Sequence, residues 1–144
     1  MIQNLFFMNF RMEERRYTFS KAERLCSKKL IERLFSGGHK SFPAFPLRVV
    51  YMPLSADESE ADVSILVSVP KKRFKHAVDR NHVKRQVREA YRLNKHILTD
   101  ALHAQETPQK MALAFIWLDN KRHDTREVTQ KVKKLLHHIA EDQQ

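Results

Sequence analysis

Lysine and arginine side chains, which bind phosphate groups, are concentrated in one short part of the sequence. Residues 71–95 contain ten of them and only two acidic residues, Asp79 and Glu89, which gives this segment a net charge of +8. The rest of the chain nearly balances, with 17 cations and 15 acidic residues. The ten cations are Lys71, Lys72, Arg73, Lys75, Arg80, Lys84, Arg85, Arg88, Arg92 and Lys95. A localised excess of this size predicts a binding surface for a polyanion.

A predicted helix presents much of this charge on one side. The pattern indicates a helix that begins at Arg80, with Asp79 as its N-cap, and runs to about His103. At about 100° per residue, Val83 and Val87 lie on an apolar stripe. The cations opposite that stripe are Lys84, Arg85, Arg88, Arg92 and Lys95. Because solvated helix faces usually mix both signs of charge, we interpret this side as a nucleic-acid-binding surface.

The composition limits the partner and the compartment. The chain carries 27 Lys and Arg against 17 Asp and Glu, a net charge of +10, which favours nucleic acid or an anionic membrane. The longest apolar runs, such as Met111 to Leu118, are too short to cross a bilayer, so we favour nucleic acid and predict no membrane partner. The single cysteine, Cys26, fits a reducing, cytoplasmic location.

The sequence shows no spacing typical of a metal or catalytic site. Cys26 has no Cys or His at ligand spacing, and the acidic residues are scattered along the chain. The histidines considered as ligands are interpreted instead as solvated helix residues: His96, His103, His137 and His138. We therefore predict no catalytic residue and no metal site in the protein.

A small α+β domain is predicted to position the cations. A first helix begins at Ser20, which forms a capping box with Glu23, and runs to about Phe35. Strands are predicted at residues 47–54 and 63–69, antiparallel to each other, and the apolar run at 111–118 indicates a central strand. A last helix follows from position 124 or 125 to 141.

One domain is predicted for residues 17–141, because the sequence contains no repeat and no linker. Residues 1–16 are predicted to be a disordered extension or to precede the true start of translation. Their apolar residues come before the charges and no small-residue cleavage site follows, which is not the pattern of a signal peptide.

The segment from Val67 to Tyr91 resembles the signature of the bacterial ribonuclease P protein subunit. It contains, in order, a strand ending in valine, a Lys-Lys pair, an alanine, Arg80-Asn81, an aliphatic residue, Lys-Arg and Arg-Glu. The match is highly specific over about 25 residues, with weaker similarity over most of residues 17–140. One departure is His82, which replaces the second arginine of Arg-Asn-Arg and is a weaker donor at neutral pH.

The resemblance implies a fold, a partner and a set of contact residues. The family fold is α+β, a single domain with a central mixed sheet of about four strands and three helices in the ribosomal-protein-S5-like order α-β-β-β-α-β-α. The residues expected to face the catalytic RNA are Lys71, Lys72, Arg80, Asn81, His82, Lys84, Arg85, Arg88 and Arg92. Arginine donates a planar fork of hydrogen bonds to phosphate, and lysine a point charge.

The resemblance also implies a cleft for the single-stranded 5′ leader of precursor tRNA. Phe35 and Tyr51 match aromatic positions of that cleft, and Ile31 stands where an aromatic residue is common. In the family the RNA subunit carries the chemistry and holds Mg²⁺, and the protein promotes endonucleolytic 5′ maturation of tRNA. The expected partners are thus the catalytic RNA subunit and precursor tRNA, with no obligate protein partner.

Three alternatives remain on sequence grounds. A ribosomal-type RNA-binding protein would share the basic helix without the leader cleft. A helix-turn-helix DNA-binding protein would need a second short helix just before Arg80. In this sequence the residues at that place, Lys71 to Lys75, directly follow a predicted strand. A stand-alone nuclease is the weakest alternative.

Overall fold

The structure is a computed structural model that describes residues 17–37, 39–107 and 109–143. Residues 1–16, predicted as an extension or an early start, lie outside the described residues. The described residues form four strands and four α-helices after a short 3-10 turn at Lys21–Glu23. The strands are β1 (Lys40–Ala44), β2 (Leu47–Leu54), β3 (Val63–Ser68) and β4 (Lys110–Trp117). The helices are α1 (Lys28–Phe35), α2 (Ala77–Asn94), α3 (His96–His103) and α4 (Thr125–Asp142).

The strands form one mixed sheet in the order β1-β2-β4-β3. β2 pairs antiparallel with β1 and with β4, whereas β3 pairs parallel with β4. The predicted central position of β4 and the α+β class with a four-stranded sheet are confirmed. β3 runs antiparallel to β2, as predicted, but β4 separates the two strands. Pro43 lies in β1 at the edge of the sheet, where its missing N–H is tolerated.

Hydrophobic clusters cover both sides of the sheet. The larger cluster contains Leu47 and Tyr51 of β2 and packs under α2, α3 and α4. The smaller cluster contains Met52 and Leu54 of the same strand and packs against Leu34 of α1. Because side chains alternate between the two faces of a strand, β2 contributes to both clusters. Among the described helices only α1 packs on the second side, so that side is covered far less completely.

The first helix is shorter than predicted. The capping box exists, because the N–H of Ser20 donates to Glu23 Oε1 at 3.0 Å, but it caps only the 3-10 turn. The chain then extends, and the N–H of Leu25 donates to the carbonyl of Ile65 at 2.8 Å, beside the edge strand β3. α1 begins after Ser27, whose hydroxyl caps it. A continuous helix over positions 20–35 is therefore wrong, because backbone pairing with β3 interrupts it.

The long helix predicted over positions 80–103 is two helices, α2 and α3, separated at Lys95. Lys95 is only 8% exposed and its Nζ lies 2.9 Å from Glu23 Oε2, so its assignment to the outward cations is wrong. The helix also begins three residues earlier than predicted, with His76 as N-cap and Asp79 in its first turn. This break raises the number of helices from three to four. The last helix was predicted to start at position 124 or 125, and it begins at Thr125 with Asp124 as its N-cap.

Candidate RNA interface

The outward side of α2 carries a group of polar and cationic residues. We call it the α2 basic surface, and it consists of Asn81, Lys84, Arg85 and Arg88; Lys84 is partly exposed and the other three are exposed. Val83 and Val87 are fully buried on the opposite side of the helix, against the sheet. His82, the departure from the family signature, is also exposed, on the flank of this surface. The helix is thus fixed by its apolar stripe, and its cations are left available to solvent.

The loop between β3 and α2 carries four more cations, and two of them, Lys71 and Lys72, are predicted RNA contacts. Lys71 and Lys72 are exposed in a turn directly after β3. Arg80 is only partly exposed, and its Nη1 donates to the backbone carbonyls of Phe74 at 2.9 Å and Lys75 at 3.1 Å. Both of these hydrogen bonds hold the loop against the start of α2. Arg80 therefore positions the loop in addition to contributing a positive charge.

Arg92 is less available than the other predicted contact residues. Its Nε and Nη2 donate to both carboxylate oxygens of Glu89, at 3.0 and 2.5 Å, and Nη1 donates to the carbonyl of Tyr17. The hydrogen bond from Arg92 lowers the pKa of Glu89, and the same bond raises the pKa of Arg92. The charge of Arg92 is thus offset locally, so the unpaired cations of α2 lie between Lys84 and Arg88.

The three residues predicted to form one cleft are not brought together. Ile31 and Phe35 lie on α1, and Phe35 is 45% exposed. Tyr51 belongs to the cluster on the opposite side of the sheet and is only 3% exposed. Its assignment to the cleft is therefore wrong in this structure, because the alternation of side chains in β2 turns its ring under α4.

Tyr51 has a structural partner where it lies. Its hydroxyl donates to Asp142 Oδ2 at 3.1 Å, and Lys40 Nζ donates to the same oxygen at 2.8 Å. Burial, followed by the hydrogen bond and the charge of Asp142, raises the pKa of Tyr51 to about 12. These contacts attach the end of α4 to the first two strands.

A part of the sheet beside α1 is left uncovered. We call it the open sheet face, and it consists of Arg48 of β2, Ile116 of β4 and Ser68 of β3, which are paired neighbours across the three strands. Arg48 is exposed, and the other two are partly exposed. The sequence interpretation missed these residues. The alternation of β2, in which Arg48 shares a face with Met52 and not with Tyr51, was the signal that could have found them.

Comparison with known proteins identifies the family. The sequence model of the family described as Ribonuclease P matches residues 19–140. The chain belongs to the ribonuclease P protein family. The ribonuclease P protein component of Porphyromonas gingivalis is 47% identical over 124 residues, which cover 86% of this chain and 88% of the relative. That of Chlorobaculum tepidum is 36% identical over 108 residues, covering 73% and 70%.

Solved structures of the family share the fold. The RNase P protein of Thermotoga maritima superposes with a TM-score of 0.61 at 24% identity, covering 81% of this chain and 96% of that one. A mutant of the Staphylococcus aureus RNase P protein gives 0.62 at 21% identity, covering 84% and 90%. The chain is thus a protein subunit of the ribonucleoprotein endoribonuclease RNase P and works with the RNase P RNA. This assignment displaces the ribosomal-type, DNA-binding and stand-alone nuclease alternatives.

The described residues contain neither a membrane-spanning helix nor a cluster of metal ligands. No helix in the described part of the chain is long and apolar enough to span a membrane. Over the same residues, no group of three or more His, Cys, Asp or Glu side chains is arranged to hold a metal ion.

Proposed function

We propose that this RNase P protein binds two RNAs on opposite sides of its sheet. The α2 basic surface and the loop before it bind the catalytic RNA subunit, and the open sheet face with α1 binds the 5′ leader of precursor tRNA. The observation that carries this proposal is the separation of the two surfaces. α2 packs on the larger hydrophobic cluster and α1 on the smaller one, on the other side of the sheet.

The chemistry of the α2 side suits a folded RNA. Arg85 and Arg88 present guanidinium groups to solvent on consecutive turns, and Asn81 lies one turn before them. Guanidinium groups bind phosphate oxygens through two hydrogen bonds, and an amide can reach a 2′-hydroxyl. Lys71 and Lys72 extend the positive surface beyond the start of the helix.

The chemistry of the other side suits a single strand. Phe35 offers a half-exposed ring on which a base can stack, and Ile31 extends the apolar surface along α1. Arg48 supplies a cation for the phosphate backbone on the sheet itself. Stacking beside a cation binds RNA without strong dependence on sequence, which suits leaders that differ among precursor tRNAs.

We assign Mg²⁺ and the cleavage chemistry to the RNA subunit, and we place the enzyme in the cytoplasm. The surface that faces the RNA in this proposal carries cations, which repel a divalent metal ion and attract phosphate. The protein then replaces part of the Mg²⁺ that the RNA would otherwise need for charge screening.

Reconstitution with the cognate catalytic RNA tests the assembly half of the proposal. The protein alone should not cleave precursor tRNA at any Mg²⁺ concentration, and its addition should lower the Mg²⁺ concentration that the RNA requires. Arg85→Ala/Arg88→Ala should weaken assembly and raise that requirement again. Specific cleavage by the RNA-free protein, abolished by changing one Asp or His, would contradict the assignment of catalysis to the RNA.

Substrates with long and short leaders test the other half. Phe35→Ala and Arg48→Ala should each weaken binding of precursor tRNA with a leader to the assembled enzyme, and leave binding of mature tRNA unchanged. Tyr51→Phe is the matched aromatic control, because Tyr51 is buried on the other side of the sheet. An equal loss of leader affinity in Tyr51→Phe would show that the cleft is not on the α1 side.

A further inference from the structure

The last helix has a second basic surface that the family signature does not include. We call it the α4 outer surface, and it consists of Arg126, Gln130, Lys133, Lys134 and His137, all of which are exposed. The opposite side of the helix is apolar and buried, through Val128, Val132, Leu135 and Ile139. Arg126 and His137 are eleven residues apart, so the surface extends about 16 Å along the helix axis.

The charges on this surface are not compensated by the helix itself. Arg126, Lys133 and Lys134 each lack an acidic residue three or four positions away in either direction. Glu127 lies on the same helix but accepts a hydrogen bond from His123 Nδ1 at 2.9 Å. Over the described residues, no carboxylate forms an ion pair with any of the three cations, whereas Arg92 of α2 is paired with Glu89. Solvated surfaces usually intersperse both signs, so this pattern indicates an anionic partner.

The position of α4 in the fold indicates which of the two RNAs is the anionic partner. α4 packs beside α2, where Gln86 Nε2 donates to the carbonyl of His123 at 3.0 Å and to Thr125 Oγ1 at 3.2 Å. Both helices bury their apolar stripes in the same cluster, on the same side of the sheet. Their polar sides therefore face away from the sheet together, and the open sheet face lies on the far side.

We propose that the α4 outer surface is a second contact site for the phosphate backbone of the RNase P RNA. The inference rests on the proposed function, because it takes the α2 side as the side that faces this RNA. The leader of precursor tRNA is excluded as the occupant, since its surface is across the sheet. The two helices then bind one RNA over a surface that is wider than the signature alone provides.

The salt dependence of binding tests the proposal on the full-length protein. Each phosphate contact contributes about 0.7 to 0.9 to the slope of log Kd against log salt concentration. Lys133→Ala/Lys134→Ala should therefore lower the magnitude of the slope for the RNase P RNA by about 1.5. Both residues are exposed and alanine favours helix, so the variant retains the fold, which circular dichroism checks. Lys133→Arg/Lys134→Arg should restore the slope.

The matched control is Lys28→Ala/Lys29→Ala, which removes the same charge from exposed positions at the start of α1, across the sheet. It should leave the slope unchanged. An equal decrease in both double variants would show only a net-charge effect and would overturn the proposal. So would an unchanged slope in the α4 variant.

Comparison with the α2 double variant, and a measurement of precursor tRNA binding, distinguish a failure of this inference from a failure of the proposed function. If Arg85→Ala/Arg88→Ala lowers the slope and the α4 variant does not, the proposed function stands and the second site is wrong. If neither variant changes the slope, both are wrong. In the assembled enzyme at saturating protein, the α4 variant should bind precursor tRNA with unchanged affinity. A selective loss of affinity for precursor tRNA in that measurement would place the substrate on α4 and overturn the assignment to the RNase P RNA.

Discussion

The ion pair between Lys95 and Glu23 predicts a large loss of stability when it is broken. Lys95 Nζ lies 3.0 and 2.9 Å from the two carboxylate oxygens of Glu23 and also donates to the carbonyl of Thr18. The two side chains are only 10% and 13% exposed. Lys95→Met keeps an unbranched side chain that is only one atom shorter and removes its charge, so Glu23 remains largely buried with Ser20 as its remaining donor.

Breaking a buried pair by removing one partner costs about 3–5 kcal/mol. We expect about 3 kcal/mol for Lys95→Met, the lower end of that range, because Ser20 still donates to Glu23 through its N–H and its hydroxyl, at 3.0 and 3.1 Å. That is a large part of the 5–15 kcal/mol that typically stabilises a domain. The measurement is the free energy of unfolding in urea for four proteins: the wild type, Lys95→Met, Glu23→Gln and the double variant Glu23→Gln/Lys95→Met. The double variant should recover part of the loss, since it leaves no unpaired charge. A loss below about 1 kcal/mol, as for a surface pair, would refute the reasoning.

Three other predictions follow from single side chains. Arg80→Ala should speed amide hydrogen exchange in residues 71–76 about tenfold, since two hydrogen bonds to loop carbonyls are lost, whereas Arg88→Ala should leave that exchange unchanged. Burial is the largest single effect on the pKa of His123 and lowers it, but the hydrogen bonds and charges of Asp119 and Glu127 together outweigh burial, so the pKa is raised. The stabilisation from this group should therefore be complete below about pH 6.5 and lost as pH rises through the raised pKa. Urea midpoints across that range should show the loss in the wild type; the same pH profile in His123→Gln would contradict it. The Tyr51 hydroxyl, with a pKa of about 12, should ionise later than an ordinary tyrosine, which an alkaline absorbance titration against Tyr51→Phe measures.

Local patterns predicted most of the fold. The β-branched run of β2, the apolar run of β4 and the start of α4 at position 124 or 125 are visible in the sequence, because each follows from neighbouring residues. The two helix errors have a different cause. The chain is extended at Leu25 because its N–H donates a hydrogen bond to β3. α2 and α3 separate at Lys95, which pairs with Glu23, 72 positions away in the sequence. Such contacts between distant residues leave no mark in local periodicity.

The candidate site was predicted only in part. The outward cations Arg85 and Arg88 were placed correctly from local periodicity, and the strand residue Tyr51 was not. Helical periodicity places Arg85 and Arg88 opposite Val83, and the structure has them there. A match of motif alone does not tell on which face of a strand a residue lies. Tyr51 was assigned to the cleft by its motif position, whereas Arg48, three residues earlier on the other face, has the exposure that a contact residue needs.

The strand order has a consequence for how the chain folds during synthesis. β4 lies between β2 and β3, although it is made after both of them and after α1, α2 and α3. Until Trp117 has left the ribosome, β2 has only β1 beside it, and β3 has no strand partner. These unpaired strand edges and the apolar stripe of α2 are exposed in the nascent chain, where they can pair with another molecule. Completion of the sheet is therefore a late, long-range step, and the rate at which β4 inserts sets how long the growing chain is vulnerable to aggregation.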